Sequence, residues 1–226
     1  CLITTVKKQL AYAYSSLIRE WREGGSLAFD PEELDKIEGF KERQVWVERQ
    51  PDQVAVGRGS SRYVYLIDND KVLKLAMNEA GLAQNEAEVN TITHPRTTKL
   101  LLADIYDYST KDYRWILAEY AKRISYDQFE NLTGFPFRLI LIFGLVDGDF
   151  DKFRDRLELF NIHHLLRDET VIKFFTELAA TVKATGLSLG DLAGAEQWGK
   201  AQDGRVVLVD YGASDEVLDK FYGQPK

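Results

Sequence analysis

Val56-Gly57-Arg58-Gly59-Ser60-Ser61-Arg62-Tyr63-Val64 is followed, a few residues on, by Val72-Leu73-Lys74-Leu75. Both stretches carry the β-branched and aromatic residues of strands, punctuated by glycine. Val54-Ala55-Val56, Tyr63 to Ile67 and Lys71 to Leu75 read as three strands, with Asp68-Asn69-Asp70 as the tight turn between the last two. Gly57 and Gly59 have no Cβ, so backbone amides there, with Ser60 and Ser61 beside them, can come close to phosphate oxygens. A plain hairpin would use the same glycines. Lys74 sits within an apolar strand, and a buried lysine needs an anionic partner. On an exposed strand face it would need none.

Working outward, Glu79 to Ile92 reads as a helix carrying Leu82, Ala83, Ala87 and Val89, closed by His94-Pro95. Glu86 and Glu88 on that helix are the candidate partners for Lys74. Ile105 to Tyr108 and Arg114 to Glu119 are two more strands, joined by Ser109-Thr110-Lys111-Asp112. Upstream, Val45-Trp46-Val47 reads as a further strand. Asp30-Pro31-Glu32-Glu33 has the N-cap, first-turn proline and acidic residues of a short helix running to about Glu38. Leu2, Ile3, Val6, Leu10, Tyr14, Leu17 and Trp21 recur at helical spacing, and Gly24-Gly25-Ser26 ends that helix.

From Ser125 the pattern turns helical. Phe150, Phe153, Leu157 and Phe160 mark one helix face; Val171, Phe174, Phe175, Leu178 and Val182 mark another, capped by Asp168 and ended by Gly186. Leu187 to Lys200 reads as a loop and Val206 to Val209 as a last strand. The expected fold is α+β and two-lobed. A helical extension spans 1–44, an antiparallel sheet with one helix spans 45–121, and a reduced, mainly helical lobe spans 122–226. The lobes join near Tyr120 to Ser125, and a crevice between lobes is a common ligand site.

The composition sets limits. Of 226 residues, 45% are apolar and 29% charged, ordinary globular usage. The net charge of −7 argues against binding a nucleic-acid backbone. A single cysteine, Cys1, excludes an internal disulfide and a cysteine-rich metal site, and points to a reducing, cytoplasmic setting. The most apolar run, Phe135 to Val146, contains Pro136, Arg138 and Gly144 and is too short to span a bilayer. It reads as a core helix, or as a docking surface for a protein partner.

Two acids complete the pattern. Leu189-Gly190-Asp191-Leu192 is followed by Glu196-Gln197-Trp198-Gly199, an acid with a carboxamide several residues on, suited to positioning a hydroxyl and holding a metal. Asp210 follows a buried strand and precedes Tyr211-Gly212, a position from which a carboxylate can hold a cation. A polar loop and an ordinary strand-end turn would explain each alone. In sequence order, these features resemble the protein-kinase-like superfamily, including its aminoglycoside and small-molecule phosphotransferases. The resemblance covers about residues 54 to 214.

The resemblance implies that Lys74 pairs with the α- and β-phosphates of ATP and with Glu88, Glu86 being the alternate. Gly57, Gly59, Ser60 and Ser61 would cover the phosphates. Trp115-Ile116-Leu117-Ala118-Glu119-Tyr120-Ala121 matches the strand into the hinge, so backbone groups of Glu119 and Ala121 would meet adenine. Asp191 matches the catalytic aspartate, Asp210 a Mg²⁺ ligand, and Gln197 (or Glu196) the second metal ligand. The departures are specific. Arg62 replaces the third glycine of the loop, no histidine stands just before Asp191, and Gln197 stands where an asparagine is usual and one residue late. Only fourteen residues follow Gly212, so the family's usual platform for a peptide is expected to be mostly absent. The short chain, helical insert and altered loop suggest a divergent bacterial or phage form.

The implied activity is ATP-dependent phosphoryl transfer to a hydroxyl acceptor, small molecule or protein, with no nucleic-acid or membrane partner. The alternative is a pseudokinase acting as a nucleotide-binding or scaffolding module, which the Arg62 and Gln197 departures favour. A third reading is an unrelated α+β interaction protein docking through Phe135 to Val146.

Overall fold

The strand Lys71–Ala76, buried on both sides, runs through the centre of the molecule. The computed structural model describes residues 30–50, 54–68, 70–97 and 99–223. The helix expected from Leu2 to Trp21 lies outside them. Five antiparallel strands form the main sheet: β1 (Val54–Arg58), β2 (Arg62–Asp68), β3 (Lys71–Ala76), β4 (Ile105–Tyr108) and β5 (Trp115–Glu119), in spatial order β1-β2-β3-β5-β4. β3 is buried along its whole length because both sheet faces are covered. Leu73 and Leu75 join Tyr65, Ile67, Trp115 and Leu117 on one face, under Leu34 and Val47. Val72 joins Ile116, Ala118, Val89 and Ile92 on the other. Successive side chains point to opposite faces, so Lys74 shares the second face with Val72.

The first face is covered by two short helices, α1 (Pro31–Lys36) and α2 (Phe40–Glu48). Asp30 caps α1 by accepting the Glu32 N–H, and Pro31 opens it. The expected strand Val45-Trp46-Val47 is therefore corrected: it lies inside α2. Arg43 and Val47, four residues apart, are both buried toward the sheet, and the Arg43 guanidinium donates to the carbonyls of Ile37 and Glu38. That packing outweighs the β preference of three residues.

α3 (Glu79–Thr93) covers the second face. Asn78 caps it by accepting the Gly81 N–H, and it ends at His94, before Pro95. After β5 comes β6 (Lys122–Arg123), then the helices α4 (Tyr126–Thr133), α5 (Arg138–Gly144), α6 (Phe150–Leu159) and α7 (Glu169–Thr185). Ser125 and Gln128 form a capping box on α4, Asp168 caps α7, and Gly186 ends α7 in the left-handed conformation at φ 66°. The stretch read as a loop from Leu187 to Lys200 is instead ordered into α8 (Leu189–Leu192), a 3₁₀ turn (Ala195–Gln197) and β7 (Trp198–Lys200). β7 pairs with β6 and with β8 (Val206–Leu208), and α9 (Asp215–Phe221) follows.

The apolar run Phe135 to Val146 packs inward. Phe135, Phe137, Leu139, Ile140 and Phe143 are buried, whereas Leu141 and Leu145 are exposed. Most of the run is therefore core, with Leu141 and Leu145 left at the surface. Among the described residues, no helix is long and apolar enough to cross a membrane.

Candidate functional site

Lys74 reaches its partner through the register of three elements. It lies opposite Val64 in β2 and Ile116 in β5, on the face covered by α3. On α3, Gly81, Asn85 and Glu88 are buried toward the sheet. Lys74 Nζ donates to Glu88 Oε2 at 2.6 Å and to the Val209 carbonyl at 2.7 Å. Glu88 is fully buried, and Glu86 is not the partner.

Arg62 enters the same cluster. It opens β2, two residues from Val64 and therefore on the Lys74 face. One guanidinium nitrogen donates to Glu88 Oε1 at 2.7 Å and to Asn85 Oδ1 at 3.2 Å; the other donates to Asp210 Oδ1 at 2.5 Å. Asn85 is itself held, donating to the Tyr113 carbonyl. The result is a chain of alternating charge, Lys74–Glu88–Arg62–Asp210. Burial alone would lower the Arg62 pKa, but the charges of Asp210 and Glu88 outweigh it and raise it, so the guanidinium is permanently charged. Reading the sequence noted Arg62 only as a missing glycine. The available signal was strand parity, which places residues 62 and 64 on one face opposite Lys74.

Two glycines let α3 approach this closely. A Cβ on Gly81 would stand 2.2 Å from the Ser61 carbonyl oxygen, and one on Gly212 would stand 2.5 Å from the Gln84 carbonyl oxygen. The glycine hairpin is closed by the Gly59 N–H donating to the Arg62 carbonyl. Its serines are engaged: Ser61 Oγ donates to Gln84 Oε1, and Ser60 Oγ shares a hydrogen bond with the Tyr222 hydroxyl after α9. Tyr211, buried behind Asp210, donates to the Ala103 carbonyl and lies 5.7 Å beneath Lys74 Nζ.

A cavity of about 510 Å³ opens in front of the cluster, lined by Gly57, Gly59, Ser60, Ser61, Lys74, Glu119, Ala121 and Asp210 among others. At the end of β5, the Glu119 carboxylate is gripped by Arg205 and accepts the Asp104 N–H. The Glu119 and Tyr120 amides donate to the Asp104 and Asp70 carbonyls. Asp191 lies in α8, and Gln197 is joined to the strand end through its main chain, its carbonyl accepting the Val209 N–H at 2.8 Å.

Asp210 has a measurable signature. Burial raises its pKa, but the Arg62 and Lys74 charges and hydrogen bonds from Arg62 and the Gly212 N–H hold it at about 2. Because the folded value is depressed below the ordinary 3.8, the stabilisation is present above 3.8 and lost as pH falls through about 2. Half of the side chain still faces the cleft, so salt weakens the pair. A carboxyl NMR titration at low salt is expected to give a midpoint near 2. A midpoint at the ordinary value would mean that the pair does not form in solution.

These groups do not fit a resident divalent cation. The carboxylate that would hold one is already bonded to a guanidinium, with a second cation, Lys74, in the same cluster.

No protein-family model matches the chain, and no curated protein matches it by sequence. Similar solved structures do exist. The GDP and kanamycin complex of APH(2″)-IIia is 14% identical at a TM-score of 0.37, over 72% of this chain and 67% of that one. The streptomycin–ATP–APH(2″)-IIa ternary complex is 13% identical at a TM-score of 0.28, over 51% of this chain and only 38% of that one. ADP-bound aminoglycoside phosphotransferase APH(2″)-Ib is 11% identical at a TM-score of 0.37, over 81% of this chain and 71% of that one.

Proposed function

We propose that this is a kinase-like nucleotide-binding protein that takes ATP into the cavity between the five-stranded sheet (54–119) and the part that follows it from Lys122. The observation that carries this reading is the Lys74–Glu88 pair, assembled at 2.6 Å behind the glycine hairpin and open to a cavity large enough for a nucleotide. Lys74 would meet the α- and β-phosphates, held in place by Glu88. The amides of the Gly57–Ser61 segment would cover them, and the Glu119 carbonyl and Ala121 amide are the groups proposed for the adenine edge.

The second reading is ATP-dependent phosphoryl transfer to a hydroxyl acceptor, positioned by Asp191. The assembled Lys74–Glu88 pair favours it. The Arg62–Asp210 pair favours binding without transfer, because it occupies the acid at the strand end.

Isothermal calorimetry with ATP tests the proposal. Lys74→Ala is expected to weaken binding at least tenfold, about 1.4 kcal/mol or more. Saturation at about 100 times the dissociation constant should stabilise the unmodified protein by roughly 2.7 kcal/mol in a thermal melt. Absence of both effects would refute nucleotide binding. Release or transfer of the γ-phosphate by the unmodified chain, abolished in Asp191→Ala, would establish the second reading.

A further inference from the structure

We propose that the Arg62 guanidinium takes the place of a divalent cation in this cleft, so that the site binds a nucleoside triphosphate without metal. The proposal rests on the nucleotide-binding reading and concerns the chemical form of the ligand.

The first observation is the neutral cluster. Lys74, Glu88, Arg62 and Asp210 carry two positive and two negative charges, linked by contacts of 2.5 to 2.7 Å. A divalent ion attracted by Asp210 would find that carboxylate already compensated. It would also stand beside a guanidinium whose side chain is only 5% exposed and is already bonded to Glu88, Asn85 and Asp210. Removing the guanidinium would strip Glu88 and Asp210 of a partner within a buried network, which is costly.

The second observation is the charge of the cavity. Beyond the neutral cluster, Arg58, Lys122 and Arg123 line it, against the single carboxylate of Glu119, which Arg205 already pairs. The chain as a whole carries −7, so this cleft is cationic on an acidic protein. That is the field a bare polyphosphate requires. A site built for a metal–phosphate complex would offer acids for the metal. Here the surplus is cationic, and a guanidinium is both permanently charged and suited to phosphate.

The experiment is calorimetry of ATP with the full chain, once in excess EDTA and once in excess Mg²⁺. The expected result is a dissociation constant that differs less than about threefold between the two. Asp210→Asn, which keeps the shape of the acid, is expected to show the same indifference to Mg²⁺, with dissociation constants in the two buffers that differ less than about threefold, whatever the change in affinity itself. Arg62→Met is expected to bind at least tenfold more weakly in EDTA and to be partly rescued by Mg²⁺. Binding that requires Mg²⁺, or a larger difference between the two buffers in Asp210→Asn, would overturn the metal-free site while leaving nucleotide binding intact. No binding by the unmodified chain in either buffer would overturn both.

Discussion

Glu88→Ala is expected to destabilise the protein by about 3–5 kcal/mol, the usual cost of breaking a buried ion pair. The carboxylate is fully buried and both of its oxygens are used, one by Arg62 and one by Lys74. Truncation leaves two buried cations facing each other across a void. Glu88→Gln should cost less. It keeps the shape and one acceptor but turns an NH₂ toward the other cation. Urea unfolding with linear extrapolation gives the comparison, and an unchanged slope would assign the loss to the native state. A loss below about 1 kcal/mol would mean that water or Asp210 satisfies both cations without Glu88. Within the double variant Glu88→Ala/Lys74→Met the losses should fall short of additive, since the second substitution removes one of the charges exposed by the first.

Trp198→Ala is expected to cost about 3–5 kcal/mol for a different reason. The ring is fully buried between Phe129 at 5.3 Å and Phe174 at 5.8 Å, at the point where β7 meets α4 and α7. Its Nε1 donates to the Leu192 carbonyl at 3.1 Å, at the end of the short helix that carries Asp191. Trp198→Phe keeps most of the apolar contact but leaves that carbonyl without its donor, and should cost about 1–2 kcal/mol. The two effects separate in hydrogen exchange. Trp198→Phe should speed exchange at the α8 amides more than in the Phe135–Phe143 core. Uniform acceleration would show that the hydrogen bond does not hold α8 in place.

Much of the fold is legible because it depends on near neighbours in the chain. Apolar, β-branched and aromatic residues mark β2 and β3, His94-Pro95 closes α3, and Asp168 and Gly186 bound α7. Each of these signals acts over a few residues, through side-chain direction, a capping hydrogen bond or a φ restriction. The same reasoning takes Lys74 toward Glu86 or Glu88 on the next helix, and the docking of α3 selects Glu88.

Other features were settled only by tertiary contact. Val45-Trp46-Val47 is too short for its period to distinguish strand from helix, and burial of Arg43 and Val47 against the sheet made it helical. Order between Leu187 and Lys200 came from strand pairing with β6 and β8 and from the Trp198 anchor. The Arg62–Asp210 pair joins residues 148 apart in the chain. No local pattern encodes such a contact. It forms because α3, β2 and the end of β8 dock on one another with glycine at two points of closest approach, and the free energy of a charge pair depends on the burial that this docking creates.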